Sequence, residues 1–308
     1  MKRYPKTIMA TACLPWNESF EFMEEMFRQQ VTDLQQMGLR HIYLFGTAGE
    51  GYAVSDEQFE HIVRVFASSS QGTDMQPIVG LISLSFQTML QRAKKAYALG
   101  IRDFQISFPS WGALTESEML RFFHEICGAF PDCRFIHYNN GRSKKVVSVK
   151  EYATLAAEIP NLAAVKYTAL DMPTAYQIAM NDSPLQFFCG ELGFGYAHLL
   201  GGECSMVVSL GLGHMERTWR MFEAAATNDL ERLAMYQQEL SGIREGILTI
   251  VGAAYMDGAY DKLLYKLTNP AFPLRMLAPY DSSTDEQYRQ YRDFLRERFP
   301  AWLAPNSG

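Results

Sequence analysis

The sequence lacks paired cysteines and long hydrophobic runs. Its five cysteines are an odd number without CxxC spacing, so we expect free thiols in a reducing compartment. No window approaches the roughly 20 apolar residues of a membrane span. The N-terminal stretch MKRYPKTIMATACLPW has no continuous apolar core of the kind that a signal peptide requires. These absences predict a cytoplasmic protein that does not enter a membrane.

Positive charge and metal-binding patterns are also scarce. The formal net charge is −6, and the longest basic runs are the pairs Lys94-Lys95 and Lys144-Lys145, which are typical of a solvated surface. The six histidines show neither HxxxH spacing nor a cluster with cysteine. We therefore expect no nucleic-acid partner and no metal site.

Short apolar segments do occur, and they alternate with amphipathic segments over most of the chain. Strands are predicted at residues 9–14, 41–45, 77–82, 103–108, 134–138, 162–168, 185–189 and 205–210. Helices are predicted between them at residues 20–36, 55–68, 86–99, 115–130, 148–158, 173–180, 194–200 and 214–227. Asn17 and Ser19 are possible caps of the first helix, and the sequence SDEQ from Ser55 resembles a capping box at the start of the second. Eight such units predict an α/β protein with a (β/α)8 TIM barrel, and an open doubly wound parallel sheet is the nearest alternative.

After about residue 228 the strand-like segments stop and helical patterns continue. Helices are predicted at residues 229–248, 257–267 and 284–298, with prolines in the connections. We therefore expect residues 1–228 to form the barrel and residues 229–308 to form a C-terminal helical extension packed on it. Residues 305–308 are predicted to be a frayed tail.

The stretch LAAVKYT places Lys166 in a segment that otherwise suits a strand buried on both faces. Alternation puts Lys166 on the same strand face as Leu162 and Ala164. If that face points into the barrel, desolvation favours the neutral amine, which is a nucleophile that forms Schiff bases with carbonyl compounds. The alternative is that the lysine extends into water or pairs with a structural carboxylate.

Tyr138 ends the preceding predicted strand, 28 residues before Lys166. Because reactive groups in such barrels gather at the C-terminal ends of the strands, the two side chains are expected to approach each other. A phenol can donate and recover a proton at a reacting carbonyl. A tyrosine that only packs at the barrel mouth is the alternative. His137, which precedes Tyr138, points to the opposite strand face and is expected to be a packed or hydrogen-bonded structural residue.

The sequence GTAGEG, residues 46–51, follows a predicted strand and precedes a predicted helix. Its glycines allow backbone N–H groups to converge on an anion such as a carboxylate. A phosphate or a simple tight turn would also fit this segment. The lysine of a P-loop is missing, which argues against a nucleoside triphosphate.

These segments resemble the dihydrodipicolinate synthase / N-acetylneuraminate lyase family of (β/α)8 aldolases. The similarity covers about residues 8–300 and rests on GTAGEGYAVSDEQ, HYNN, AAVKYT and FFCGELGFGYAHLLGGECSMVVS. It implies that Lys166 forms an imine with a 2-keto acid, typically pyruvate, and that Tyr138 transfers protons. It also implies that Thr47 and the Ala48 backbone hold the carboxylate, and that the Met206 backbone lies near the bound ketone.

The resemblance further implies a homo-oligomer, a dimer or a tetramer, that acts without metal or organic cofactor. The chain departs from the family in three features. Ala48 replaces a second hydroxyl residue, and Ser110 and Trp111 stand where the synthases have two tyrosines. Arg142, which the resemblance implies as a substrate-binding residue, lies four rather than five residues beyond Tyr138. Whether Trp111 enters a neighbouring subunit's site is left open.

We therefore expect a Schiff-base-forming lyase, either a class I aldolase or a dehydratase. Its substrates would be pyruvate-type 2-keto acids or 2-keto-3-deoxy sugar acids. Two alternatives stay open at this point. One is 4-hydroxy-tetrahydrodipicolinate (dihydrodipicolinate) synthase itself, and the other is a non-catalytic barrel that binds keto acids.

Overall fold

The computed structural model describes residues 1–167 and 171–303, in which eight parallel strands close into a barrel in chain order. The strands are β1 (Ile8–Thr11), β2 (His41–Leu44), β3 (Gln76–Gly80), β4 (Asp103–Ile106), β5 (Arg134–Asn139), β6 (Leu162–Tyr167), β7 (Gln186–Gly190) and β8 (Ser205–Val208). Closure comes from β8 pairing with β1, where Ile8 lies opposite Met206. The predicted TIM barrel is confirmed, and the open doubly wound sheet is wrong. The predicted end of β6 at Thr168 and the predicted tail at residues 305–308 lie outside the described residues.

The helices follow the strands as predicted, with ends that differ by a few residues. They are α1 (Glu24–Gln36), α2 (Asp56–Ser70), α3 (Phe86–Ala98), α4 (Glu116–Gly128), α5 (Val149–Glu158), α6 (Met172–Ala179), α7 (Glu191–Leu199), α8 (Met215–Ala226), α9 (Leu230–Val251), α10 (Asp257–Lys266) and α11 (Asp285–Arg298). Reciprocal capping boxes begin α2, α4, α5 and α11. The capping box predicted at Ser55 is therefore confirmed.

Two helix starts differ from the prediction by three residues or more. The segment before α1 forms a turn, because the Asn17 side chain accepts the N–H groups of Ser19 and Glu21 instead of capping a helix. Helix α7 begins at Glu191, three residues earlier than predicted, and so includes Gly193. A Cβ at Gly195 in the same helix would overlap the Gln237 side chain on α9, so this glycine allows close packing of the two helices.

The last three helices cover the barrel. Helix α9 packs against α7, α8 and α11. The break between Ala226 and Leu230 lies where the sequence suggested that the barrel ends, and the division into two regions stays a prediction. Within residues 1–167 and 171–303, no helix combines the length and the apolar character needed to cross a membrane.

Candidate active site

Lys166 lies near the C-terminal end of β6, and its side chain is 5% exposed. Its Nζ donates a hydrogen bond to the phenol oxygen of Tyr43. The same nitrogen lies 4.4 Å from the centroid of the Tyr43 ring and 4.3 Å from that of Tyr138. Aromatic faces attract cations at these distances, so both an ammonium and a protonated imine are stabilised here. Lys166 is therefore held between two phenols rather than extended into solvent.

Tyr138 lies beside the lysine because β5 and β6 are neighbours and pair in parallel. Tyr138 is directly opposite Lys166 in the strand register, and its side chain is 2% exposed. The Thr47 hydroxyl donates to the Tyr138 phenol at 3.4 Å. Three residues identified in the sequence thus meet at one point of the barrel mouth.

Tyr43 was not identified from the sequence, although it contacts the lysine directly. Its ring lies over Gly46, where a Cβ would overlap the ring atoms. The chain turns sharply at this point, since Phe45 adopts a left-handed φ of 63°. Glycine at position 46 therefore makes room for the Tyr43 ring at the end of β2.

The loop at residues 46–51 leaves backbone donors free for an anion. The N–H groups of Glu50 and Gly51 are used within the loop, by the carbonyls of Thr47 and Gly46. Among the described residues, none accepts a hydrogen bond from the N–H of Thr47 or Ala48. A buried N–H group without a partner is uncommon, so a ligand carboxylate fits these donors.

Two cavities open at this end of the barrel. The first has a volume of about 320 Å³, and its lining includes Tyr43, Ala48, Tyr138 and Lys166. The second has a volume of about 450 Å³, and its lining includes Thr47, Ser110, Tyr138 and Arg142. Tyr138 lines both cavities and forms part of the wall between them.

Arg142 and Met206, both predicted to bind substrate, occupy different surroundings. Arg142 is half-exposed, and its guanidinium forms an ion pair with Asp257 at 2.8 Å. The Met206 side chain is fully buried in the layer between the barrel and the helices. The residues that follow it, Val207 to Leu210, line the first cavity. The predicted roles of Arg142 and Met206 stay predictions.

Acidic residues also line the first cavity. Asp257 and Asp261, which the sequence did not single out, lie on α10, whereas Glu191 directly follows β7 and begins α7. The Glu191 carboxylate accepts the N–H groups of Ser209 at 2.6 Å and of Gly211 at 3.0 Å, which holds the loop after β8. Burial raises the pKa of Glu191, and these two N–H groups offset part of that rise.

Asp261 is buried in the wall of the same cavity. Burial raises the pKa of its carboxyl to about 7, and repulsion from Asp257 adds to the effect. The Ser209 hydroxyl and the nearby Lys166 act in the opposite direction. The carboxyl therefore changes its charge close to neutral pH, near the Lys166 amine.

The Asp261→Asn variant is expected to differ from the wild type in how stability depends on pH. The pKa of the carboxyl is about 7 in the folded protein and about 3.9 in the unfolded chain, so the folded state binds more protons between these values. The contribution of Asp261 is therefore full below pH ~4 and is lost as the pH rises through ~7.

Denaturant unfolding of both proteins at a series of pH values measures this contribution. The free energy of unfolding of Asp261→Asn should rise relative to the wild type between pH 4 and pH 7, by about 1.4 kcal/mol for each unit of pKa difference. A constant difference across this range would contradict the assignment.

His137, the residue before Tyr138, does not belong to this site. His137 packs against Phe108 with ring centroids 4.5 Å apart, and its Nδ1 shares a hydrogen bond of 2.5 Å with the Tyr152 phenol. This confirms the prediction that His137 is a packed, hydrogen-bonded residue. Burial lowers its pKa to about 3. In the part of the chain that the structure describes, no group of three or more metal-ligating side chains comes together.

Comparison with known proteins identifies a family and several relatives of this chain. A family model described as the dihydrodipicolinate synthetase family matches residues 4–270. A 4-hydroxy-tetrahydrodipicolinate synthase from an Exiguobacterium species is 23% identical over 271 residues, which cover 87% of this chain and 92% of that protein. An N-acetylneuraminate lyase from Danio rerio is 22% identical over 45% of this chain and 46% of its own length.

Solved structures share the fold. A prophage protein from E. coli K12 that belongs to the dihydrodipicolinic acid synthase family, solved in complex with pyruvate, superposes with a TM-score of 0.83. It is 15% identical, and the match covers 94% of this chain and 97% of that one. The N-acetylneuraminate lyase of Proteus mirabilis superposes with a TM-score of 0.81 at 20% identity, over 95% and 98% of the two chains.

Proposed function

Since the chain belongs to the dihydrodipicolinate synthetase family and is a lyase of that family, we propose that it forms a Schiff base between Lys166 and a 2-keto acid. The observation that carries this proposal is the position of the amine, which is buried between two phenols in the wall of a cavity of about 320 Å³. A nucleophile next to proton-transfer groups is what carbonyl addition requires.

Each part of the site has a role in the proposed reaction. The N–H groups of Thr47 and Ala48 hold the substrate carboxylate, which places the neighbouring ketone near Lys166. Tyr138 supplies a proton to the ketone oxygen and recovers it when the product leaves. The protonated imine then withdraws electrons, so the adjacent carbon can lose a proton or a carbon substituent, or a hydroxyl group one carbon further on can leave.

The wall opposite the lysine suggests which substrates are accepted. Carboxylates accept hydrogen bonds from hydroxyl groups, and Asp257 and Asp261 both line the cavity. The volume is sufficient for a small ligand. We therefore favour a hydroxylated 2-keto acid, such as a 2-keto-3-deoxy sugar acid, beside pyruvate itself.

The 4-hydroxy-tetrahydrodipicolinate synthase reaction has less support. The resemblance leads us to expect a second tyrosine and a free arginine in that enzyme. Here Trp111 is 83% exposed, and the Arg142 guanidinium is already paired with Asp257. Assay with pyruvate and aspartate semialdehyde is expected to give little or no turnover.

We also propose a cytoplasmic homo-oligomer, a dimer or a tetramer. Large apolar side chains are exposed near the barrel mouth at Leu84 and Trp111. Three more are exposed at intervals of four residues on α6 and directly after it, at Met172, Tyr176 and Met180. Exposed apolar side chains at helical spacing favour an interface between subunits. Ultracentrifugation of the purified protein gives the number of subunits.

The proposed function is tested by proton exchange and by turnover. The protein is incubated with pyruvate in D₂O, and NMR follows deuterium uptake into the methyl group, which requires an imine and its enamine. A panel of 2-keto-3-deoxy sugar acids is then assayed for release of pyruvate or for dehydration. We expect methyl exchange and turnover of at least one sugar acid.

The outcome separates catalysis from binding alone. A barrel that only binds keto acids would be stabilised by pyruvate against heat but would exchange no methyl protons. That result would contradict the proposed function.

A further inference from the structure

We propose that Tyr43 is a second catalytic phenol, which carries one of the two protons that leave the Lys166 nitrogen during imine formation. This inference rests on the proposed function, because it assigns a step of Schiff-base chemistry at Lys166. The hydrogen bond from Lys166 Nζ to the Tyr43 phenol oxygen is the observation behind it. The phenol thus contacts the reacting atom directly.

The chemistry requires two proton transfers from nitrogen to oxygen. The nitrogen lone pair forms the C–N bond while the carbonyl π electrons move to oxygen. Water then leaves as the C–O bond breaks, and the lone pair left on nitrogen by N–H loss closes the C=N bond. When the lysine nitrogen carries the same charge in the imine as in the starting amine, both protons of the departing water come from that nitrogen.

The geometry provides one phenol for each transfer. The rings of Tyr43 and Tyr138 lie at nearly equal distances from Nζ, 4.4 and 4.3 Å from ring centroid to nitrogen. A phenol can accept a proton from nitrogen while it passes its own proton on, and it stays neutral overall. Tyr138 has the Thr47 hydroxyl beside it, and Tyr43 has that of Thr11.

Two nearby positions do not supply another hydroxyl. Ala48 lines the cavity with a methyl group, and Trp111, which is 83% exposed, carries only an N–H donor. The site is instead shaped around the Tyr43 ring, since any Cβ at Gly46 would overlap it. The phenol is therefore the group in position to serve as the second proton carrier.

Burial keeps the Tyr43 phenol in the form that a relay needs. Desolvation raises its pKa well above the ordinary value of a tyrosine, and the Thr11 hydroxyl offsets only part of this rise. The neutral phenol has both a proton to give and an oxygen lone pair to accept one. It can therefore act in both directions without a stable phenolate.

The Tyr43→Phe variant tests this role, with Tyr4→Phe as its matched control. Tyr4 is also a buried tyrosine of the barrel interior, but its phenol hydrogen-bonds to His41 and Asp103 rather than to the lysine. Each protein is mixed with pyruvate and quenched with borohydride at a series of times, and intact mass gives the fraction of trapped imine. The experiment is repeated in D₂O and across pH.

We expect Tyr43→Phe to reach the same final labelling but to form the imine about 10²-fold or more slowly. Its solvent deuterium isotope effect and pH profile should also differ from those of the wild type. Tyr4→Phe should label at the wild-type rate.

Two results would overturn the role of Tyr43. One is an unchanged rate in Tyr43→Phe, and the other is a slower rate with an unaltered isotope effect and pH profile, which would indicate that the phenol only positions the amine. If the wild type forms no adduct at all, the proposed function fails and this inference fails with it.

Discussion

Replacing Lys166 with methionine is expected to abolish imine formation and to lower kcat/KM for any 2-keto acid substrate by about 10⁴-fold or more. Methionine fills a similar length of the barrel interior but offers no nucleophilic nitrogen. Lys166 is the only lysine among the described residues that line the cavity, so no second side-chain amine is in place to form the imine. The remaining phenols and backbone donors would still bind the substrate.

Steady-state kinetics and methyl proton exchange of pyruvate measure this effect. Lys144→Met is the matched control, because Lys144 is an exposed lysine near the same mouth, and its Nζ donates to the Trp111 carbonyl. The control should keep wild-type activity. Circular dichroism and thermal unfolding should show that Lys166→Met is folded, since an apolar side chain replaces a buried amine. A loss of less than tenfold in a folded Lys166→Met protein would contradict the assigned role.

The second large effect concerns stability. Replacing Lys262 with methionine is expected to lower the free energy of unfolding by about 3–5 kcal/mol, because it leaves the Glu50 carboxylate buried without its counter-charge. Both side chains are fully buried, and the Lys262 Nζ lies 2.5 Å from Glu50 Oε1. Burial lowers the pKa of Lys262, and attraction to Glu50 opposes that shift.

This ion pair connects three parts of the fold. Glu50 belongs to the loop after β2, and it also accepts hydrogen bonds from the Trp16 indole at 3.1 Å and from the Leu277 N–H at 2.7 Å. Lys262 lies on α10 and donates to the Arg275 carbonyl. Loss of the ammonium therefore weakens the attachment of the C-terminal helices to the loop that holds Thr47.

Denaturant unfolding at fixed protein concentration measures the change, and a double-mutant cycle separates its causes. The double variant Glu50→Gln with Lys262→Met should recover part of the loss, because no charge stays buried. Lys95→Met removes a solvent-exposed pair with Glu60 and should leave stability almost unchanged. If Lys262→Met were as stable as Lys95→Met, the pair would not hold the fold together as described.

The sequence predicted those features that depend on local pattern or on simple barrel geometry. The alternation of strands and helices predicted the barrel, and the Ser55 capping box predicted the start of α2. The pairing of Tyr138 with Lys166 was also predictable, because consecutive parallel strands are neighbours and their C-terminal ends meet.

Tyr43 could not be found in the same way. It lies in HIYLF, a strand that is buried on both faces, so no alternation of apolar and polar residues shows which side chains point inward. The clearance that Gly46 gives to its ring becomes visible only in three dimensions.

The acidic residues of α10 that line the first cavity could not be predicted from the sequence either. Asp257 and Asp261 lie on a helix after the barrel, and nothing local indicates that this helix covers the mouth. Asp257 pairs with Arg142, which is 115 residues away along the chain, so Arg142 appeared from the sequence to be a free substrate-binding cation. Contacts between residues so far apart along the chain depend on how the C-terminal extension packs on the barrel.

The most direct test of the central claim is to trap the imine and find its position. The wild-type protein is incubated with pyruvate and borohydride, and proteolytic peptides are analysed by mass spectrometry. We predict one reduced pyruvyl group per chain, on the peptide that contains Lys166. A fully active protein that carries the label on another lysine, or carries no label, would contradict the account.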